Sequence, residues 1–226
     1  LGQGHNNDLH EPTEVNALMG KRVVDLVCGR SNTYFIVQEG NNNSLTTTAI
    51  YACGHQDTSY QPCGLGHSNT GHISTPTRMP FSDRLEGLGG IAQLVAGWSC
   101  CALRTNNGDL FTWGNYNFGV GNAPTKITNM GAEAGDPVVY IGCSFTCAYA
   151  LTESGKRYWW RNITTTPSEM PPATAAKIPP TMTAFTRGCC NNGARIFFAP
   201  YIPRYDRVRW AVNLRALSRS GRAILK

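Results

Sequence analysis

Charge is scarce in this sequence. Asp, Glu, Lys and Arg make up 15% of its 226 residues while Phe, Trp and Tyr make up 10%, a balance that favours a packed chain over a disordered one. No apolar run approaches the roughly 20 residues that cross a bilayer as a helix, so no membrane span is expected. The opening LGQGHNNDLHEP has neither the basic start nor the apolar core of a signal peptide. It also lacks an initiating Met and begins inside a Gly-rich turn, as a piece trimmed from a longer protein would. Nine cysteines are present without one CxxC pair, which argues against a structural zinc site and for reduced, buried thiols in a cytosolic or organellar protein. GxSxG, phosphate-loop and dinucleotide fingerprints are missing too, and the carboxylates are too scattered to suggest an acid–base pair.

What the sequence does contain is glycine, 24 residues of it, with 13 prolines. Many of these glycines fall in a repeat. Five segments share an apolar strand, a small residue, a polar turn ending in Gly and a second strand: LVCGRSNTYFIVQEG, LVAGWSCCALRTNNGDLFTWG, YIGCSFTCAYALTESGKRYWW, TMTAFTRGCCNNGARIFF and RVRWAVNLRALSRSGRAIL. Their turn glycines are Gly40, Gly108, Gly155, Gly193 and Gly221. Asn-Asn-Gly and Ser-Gly supply the positive φ that a tight hairpin needs, so five antiparallel hairpins are predicted. The Gly-, Asn- and His-rich stretches between them read as loops, with Pro12 and Pro76 each introducing an edge strand. A single hairpin cannot bury its own apolar face, so the units must stack, and the Trp113-Gly114 step favours small twisted sheets packed radially. The expected fold is an all-β propeller, one domain over 1–226.

LGQGHNNDLHEPTEV, LVCGRSNTYFIVQEG, TNNGDLFTWGNYNFG and CGLGHSNTGHISTPT together resemble the regulator of chromosome condensation repeat family, whose members fold as seven-bladed β-propellers. About five of the seven repeats are recognisable. The match is close over 1–160 and loose over 178–226, where the turn glycines crowd together although a four-stranded blade needs roughly 40 residues or more. The later blades are therefore expected to be eroded. The family's GQLGxG loop is shortened to Asn117-Phe118-Gly119-Val120-Gly121 after the second hairpin and is missing after the third.

Functional expectations follow from charge and from what the loops can present. The formal net charge of +6 resides entirely in the tail, where Arg204, Arg207, Arg209, Arg215, Arg219, Arg222 and Lys226 stand against Asp206 alone. An Arg-rich patch suits bidentate contacts to phosphate or carboxylate, so an RNA, another polyanion or an acidic protein face is the expected partner. Loops 4–10, 54–60 and 66–74 are the other candidate surface. His5 and His67 follow the Gly of LGQG and CGLG in two repeats, which assigns them a turn role rather than catalysis, and His10, His55 and His72 also fall in loops. Cys100-Cys101 and Cys189-Cys190 are placed on inner strands, where a low-pKa nucleophile is not expected. The reading is a non-enzymatic intracellular scaffold without cofactor, metal or small-molecule substrate, working with protein partners in a larger assembly such as an organellar ribonucleoprotein. The family resemblance adds two alternatives, a guanine nucleotide exchange factor for a small GTPase and a chromatin-binding protein.

Overall fold

The computed structural model describes residues 2–41, 44–54, 72–97, 101–114, 123–143, 147–161, 167–170, 184–185 and 198–199. Three four-stranded antiparallel sheets follow one another along the chain. The first holds β1 (Arg22–Cys28), β2 (Asn32–Asn41), β3 (Ser44–Gly54) and β4 (Ile73–Arg78). The second holds β5 (Ile91–Ala96), β6 (Cys101–Thr105), β7 (Leu110–Trp113) and β8 (Thr125–Lys126), and the third β9 (Val138–Cys143), β10 (Cys147–Thr152), β11 (Arg157–Arg161) and β12 (Ser168–Glu169). In each sheet the strands lie side by side in chain order. A further pair, β13 (Ala184–Phe185) and β14 (Phe198–Ala199), flanks Gly193 as the fourth hairpin requires. The fifth segment and its turn at Gly221 lie outside the described residues.

Local chemistry explains the hairpins. Gly108 and Gly155 take φ of 86° and 84°, the left-handed values that the predicted turns demand and that a Cβ would oppose. The centres of the middle strands are covered on both faces and so carry short apolar runs such as Tyr34-Phe35-Ile36-Val37 on β2 and Ala49-Ile50-Tyr51-Ala52 on β3. On β2, Tyr34 and Ile36 face the second sheet while Phe35 and Val37 face the other way, beneath Leu18 of a short 3-10 turn, Asn16–Leu18. On β6, Cys101 and Leu103 face the first sheet and Ala102 the third.

The sheets therefore stack face on face as blades. Between the first two, Tyr34 meets Trp113 edge-on with ring centroids 6.1 Å apart, and Phe81 meets Phe111 at 5.0 Å. Between the second and third the filling is smaller, with Ala102, Ala148 and Ala150 beside Leu110, Ile141 and Trp160. The inner strand β5 lies against both β1 and β9, which puts the first strand of every blade on the inside of the fan. Gly29 and Gly97, equivalent in their repeats, meet there, and a Cβ on Gly29 would stand 3.0 Å from the Gly97 carbonyl oxygen.

Two expectations need adjusting. Pro76 does sit in an edge strand, on β4, where its missing N–H costs no ladder bond. Pro12, however, introduces no strand: 11–15 run without regular structure into the 3-10 turn, and Thr13 and Glu14 spend their carbonyls on the Gln3 side chain instead of a sheet. The hairpins are also not isolated pairs, since each of the first three is the centre of a four-stranded sheet. Helix among the described residues amounts to one turn, α1 (Ser82–Leu85), and two 3-10 turns.

Candidate functional site: the two ends of the blades

Antiparallel order sends connections alternately to two ends of the fan. One end receives the turn within each central hairpin and the links from blade to blade. The other end receives the connections β1–β2, β3–β4, β5–β6, β7–β8, β9–β10 and β11–β12, and with them the Asn-, Gly- and His-rich loops. These can be called the clamp end and the loop end.

At the clamp end charges and backbone groups are paired. Arg78, last residue of β4, reaches Glu39 of its own blade at 3.0 Å and Asp83 in the link to the second blade at 2.6 Å. Lys126, last residue of β8, repeats the arrangement with Asp109 at 3.2 Å and Glu133 in the link to the third blade at 2.5 Å. Burial alone would lower the pKa of both cations, but the carboxylates beside them win and raise it. Asp136 accepts from the backbone N–H of Ser154 at 3.0 Å and from its hydroxyl at 2.7 Å. Desolvation would raise the Asp136 pKa, yet these bonds, with Thr152 and Lys156 nearby, hold it below the usual carboxylate value. The Val138 N–H donates to the Gly108 carbonyl at 2.9 Å, and a Cβ on Gly108 would come within 2.6 Å of the Pro137 Cβ.

The loop end is built differently. The Gly4 N–H donates to the Ser74 carbonyl at 2.9 Å, tying the first loop to the start of β4, and Gly2 fits against Pro76 with no room for a Cβ. Gln3 Nε2 donates to the carbonyls of Thr13 and Glu14, closing the loop on itself. His5, Asn6, Asn7, Asp8 and His10 stand exposed on that loop, beside a recess of about 340 Å³ lined by Gln3, Leu9, His10, Glu11, Pro12 and Thr13. His5 Nδ1 accepts the Asn7 N–H at 3.2 Å, a turn contact of the kind expected for this residue.

Of the sequence-predicted surface, 4–10, Gly54 and 72–74 come together at the loop end, while 55–71, with His55 and His67, lie outside the described residues. Arg204, Arg207, Arg209, Arg215, Arg219, Arg222 and Lys226 all lie outside them as well. Cys63, Cys100, Cys189 and Cys190 share that position. Cys101 is buried on β6 and donates to the Tyr34 hydroxyl at 3.2 Å, and burial pushes the Cys53 thiol pKa up. Burial likewise drives Tyr149 to about 12. Among the described residues no three His, Cys, Asp or Glu side chains converge on a metal position, and no helix is long and apolar enough to cross a membrane. The paired cations Arg78 and Lys126 escaped sequence reading. Their signal is positional: each ends the outer strand of its blade, with an acid five or seven residues later.

No family model matches the chain. Among curated proteins it is 29% identical over 167 residues to the ultraviolet-B receptor UVR8 of Arabidopsis thaliana, covering 71% of this chain and 34% of the receptor. It is 26% identical over 168 residues to the E3 ubiquitin-protein ligase HERC2 of Homo sapiens, covering 71% of this chain and 3% of the ligase. The chain thus spans about a third of one relative and a small fraction of the other. Among solved structures, human WBSCR16 superposes with a TM-score of 0.51 at 21% identity, over 69% of this chain and 39% of that one. Prp20p from Saccharomyces cerevisiae, a protein with binding properties toward Gsp1p and histones, gives 0.51 at 16% identity over 68% and 39%. With the sequence repeat, the chain-order four-stranded blades and their radial stacking, these likenesses show an all-β propeller fold that resembles the regulator of chromosome condensation repeat family.

Proposed function

We propose that this chain is a non-catalytic propeller scaffold for protein partners, one domain over 1–226, which uses its loop end for recognition. The observation that supports this reading best is the division of labour between the two ends. The cations Arg78 and Lys126 at the clamp end are taken up in ion pairs that reach the links between blades, whereas the loop end carries exposed Asn and His side chains on a backbone fixed by Gly4–Ser74 and by Gln3. Loops on a rigid frame can acquire binding without disturbing the core. The tail from Arg204 to Lys226 extends this reading to a polyanion, RNA within an intracellular, organellar ribonucleoprotein, and no cofactor, metal or small-molecule substrate is involved.

Binding of labelled RNA to the full chain across a salt series tests the polyanionic part. Its log affinity should fall linearly with log salt, and Arg215→Gln, Arg219→Gln and Arg222→Gln together should lower affinity and flatten that slope. Unchanged binding in the triple variant removes RNA from the proposal and leaves the protein scaffold.

The likeness to Prp20p favours a second reading, nucleotide exchange on a small GTPase or attachment to histones. Release of a labelled guanine nucleotide from small GTPases, with and without this chain, tests exchange. Absence of acceleration across the set retires it. Capture of nucleosomes against free DNA tests the chromatin reading.

A further inference from the structure

The inner strand of every described blade carries one extra residue at the same place. On β1 Val24 is skipped between Val23, opposite Val37, and Asp25, opposite Ile36. On β5 Ala92 is skipped between Ile91 and Gln93, and on β9 Val139 between Val138 and Tyr140. A bulge of this kind re-aims the side chain that follows it. The residues so placed are Asp25, Gln93 and Tyr140, each followed by an aliphatic residue: Leu26, Leu94 and Ile141.

Gln93 uses its position to reach the next blade. Its Nε2 donates to the Ile141 carbonyl at 2.8 Å, and its Oε1 accepts the Ile141 N–H at 3.1 Å. β9 pairs with β10 on one side only, so its other edge points inward without a partner strand. The Gln93 amide supplies one donor and one acceptor to that edge, the same two bonds an added strand would make. Asp25 stands at the equivalent register of the first blade and does something else. Its Oδ1 accepts the N–H of its own neighbour Leu26 at 2.8 Å. A carboxylate has no N–H to offer the Leu94 carbonyl, and the side chain is one methylene shorter.

We propose that the residue after the inner-strand bulge is a lock between blades: Gln93 closes the junction of the second and third with two hydrogen bonds, and the junction of the first and second, which has Asp25 there, lacks this lock. The two junctions differ accordingly. The unlocked one is held by wide aromatic packing around Trp113, Tyr34 and Phe111, and the locked one has the small residues Ala102, Ala148 and Ala150 in its core.

Residue-resolved hydrogen exchange on the full chain tests the lock. In the wild type the Ile141 amide should exchange more slowly than the Leu94 amide, which occupies the same register one blade earlier. Gln93→Ala should speed exchange at Ile141 about tenfold, as loss of one or two net hydrogen bonds implies, and leave Leu94 nearly unchanged. Gln93→Met, close in size but with neither the amide donor nor the acceptor, should act in the same direction and keeps the test intact if the alanine variant does not fold. Asp25→Gln should slow exchange at Leu94. Unchanged Ile141 exchange in both Gln93 variants, or unchanged or faster Leu94 exchange in Asp25→Gln, overturns the proposal.

Discussion

The clamp end and the loop end are made by the same strands, yet they use sequence in opposite ways. At the clamp end Gly108, Pro137, Lys126 and Asp136 are each in contact with a neighbouring element, so a change in one is felt by another. At the loop end the exposed side chains of 5–8 and His10 project from a backbone already fixed by Gln3 and Ser74. The backbone is close-packed at both ends, as Gly54 beside Ser31 and Gly108 beside Pro137 show, and variability is permitted to the exposed side chains of the first loop, which is how a repeat fold can acquire partners without losing its blades.

Matched glycines give the largest expected contrast. Gly108→Ala places a Cβ 2.6 Å from Pro137 at φ 86° and should cost about 2–4 kcal/mol by denaturant unfolding. Gly4→Ala, at φ 81° with its nearest non-neighbouring atom 3.5 Å away, should cost about 1 kcal/mol. Equal losses would erase the distinction between the ends.

Within the clamp end the two cations can be ranked. Lys126→Ala leaves the Asp109 side chain, 8% exposed, without its cation and should cost about 1–3 kcal/mol. Arg78→Ala, between partners 29% and 72% exposed, should cost less than about 1 kcal/mol because solvent already screens that network. A larger loss from Arg78 would place the weight of the clamp on the first blade instead.

Acid should reveal Asp136. Its pKa is held below the unfolded value, so the stability it contributes is complete above the ordinary Asp range and disappears as pH falls through that range and below. Ser154→Ala removes the hydroxyl bond, so it should lower stability at neutral pH, lose that difference as pH falls below the Asp range, and so weaken the dependence of the unfolding midpoint on pH in the acid window. An unaltered acid limb would contradict the assignment. Smallest of all, His5→Ala and His10→Ala at the loop end should shift stability by no more than about 0.5 kcal/mol, while weakening capture of a protein that the full chain binds in cell extract. Destabilisation without loss of capture would make these residues structural only.

The hairpin turns were legible because Asn106-Asn107-Gly108 and Ser154-Gly155 state their backbone geometry in residue type. The blade cores were legible because a doubly covered run such as Tyr34-Phe35-Ile36-Val37 of β2 is apolar throughout. Two of the outer strands were not. β8 and β12 are two residues long, too short for alternation to show, and the extended stretch after Pro12 imitates an edge strand while its carbonyls are occupied by Gln3. Gln93 was invisible for a related reason. Its role depends on a bulge, and a bulge is a property of pairing between strands rather than of any local motif. The Arg204 to Lys226 patch was read from charge alone, and it lies outside the described residues.

The central claim, that recognition belongs to the loop end and blade-to-blade pairing to the clamp end, is tested most directly by a hydrogen-exchange footprint of the full chain with and without a protein that it captures from cell extract. Protection on binding should concentrate at 4–10 and 72–74, with 106–109 and 127–137 unchanged. Protection confined to 106–109 and 127–137 would contradict it.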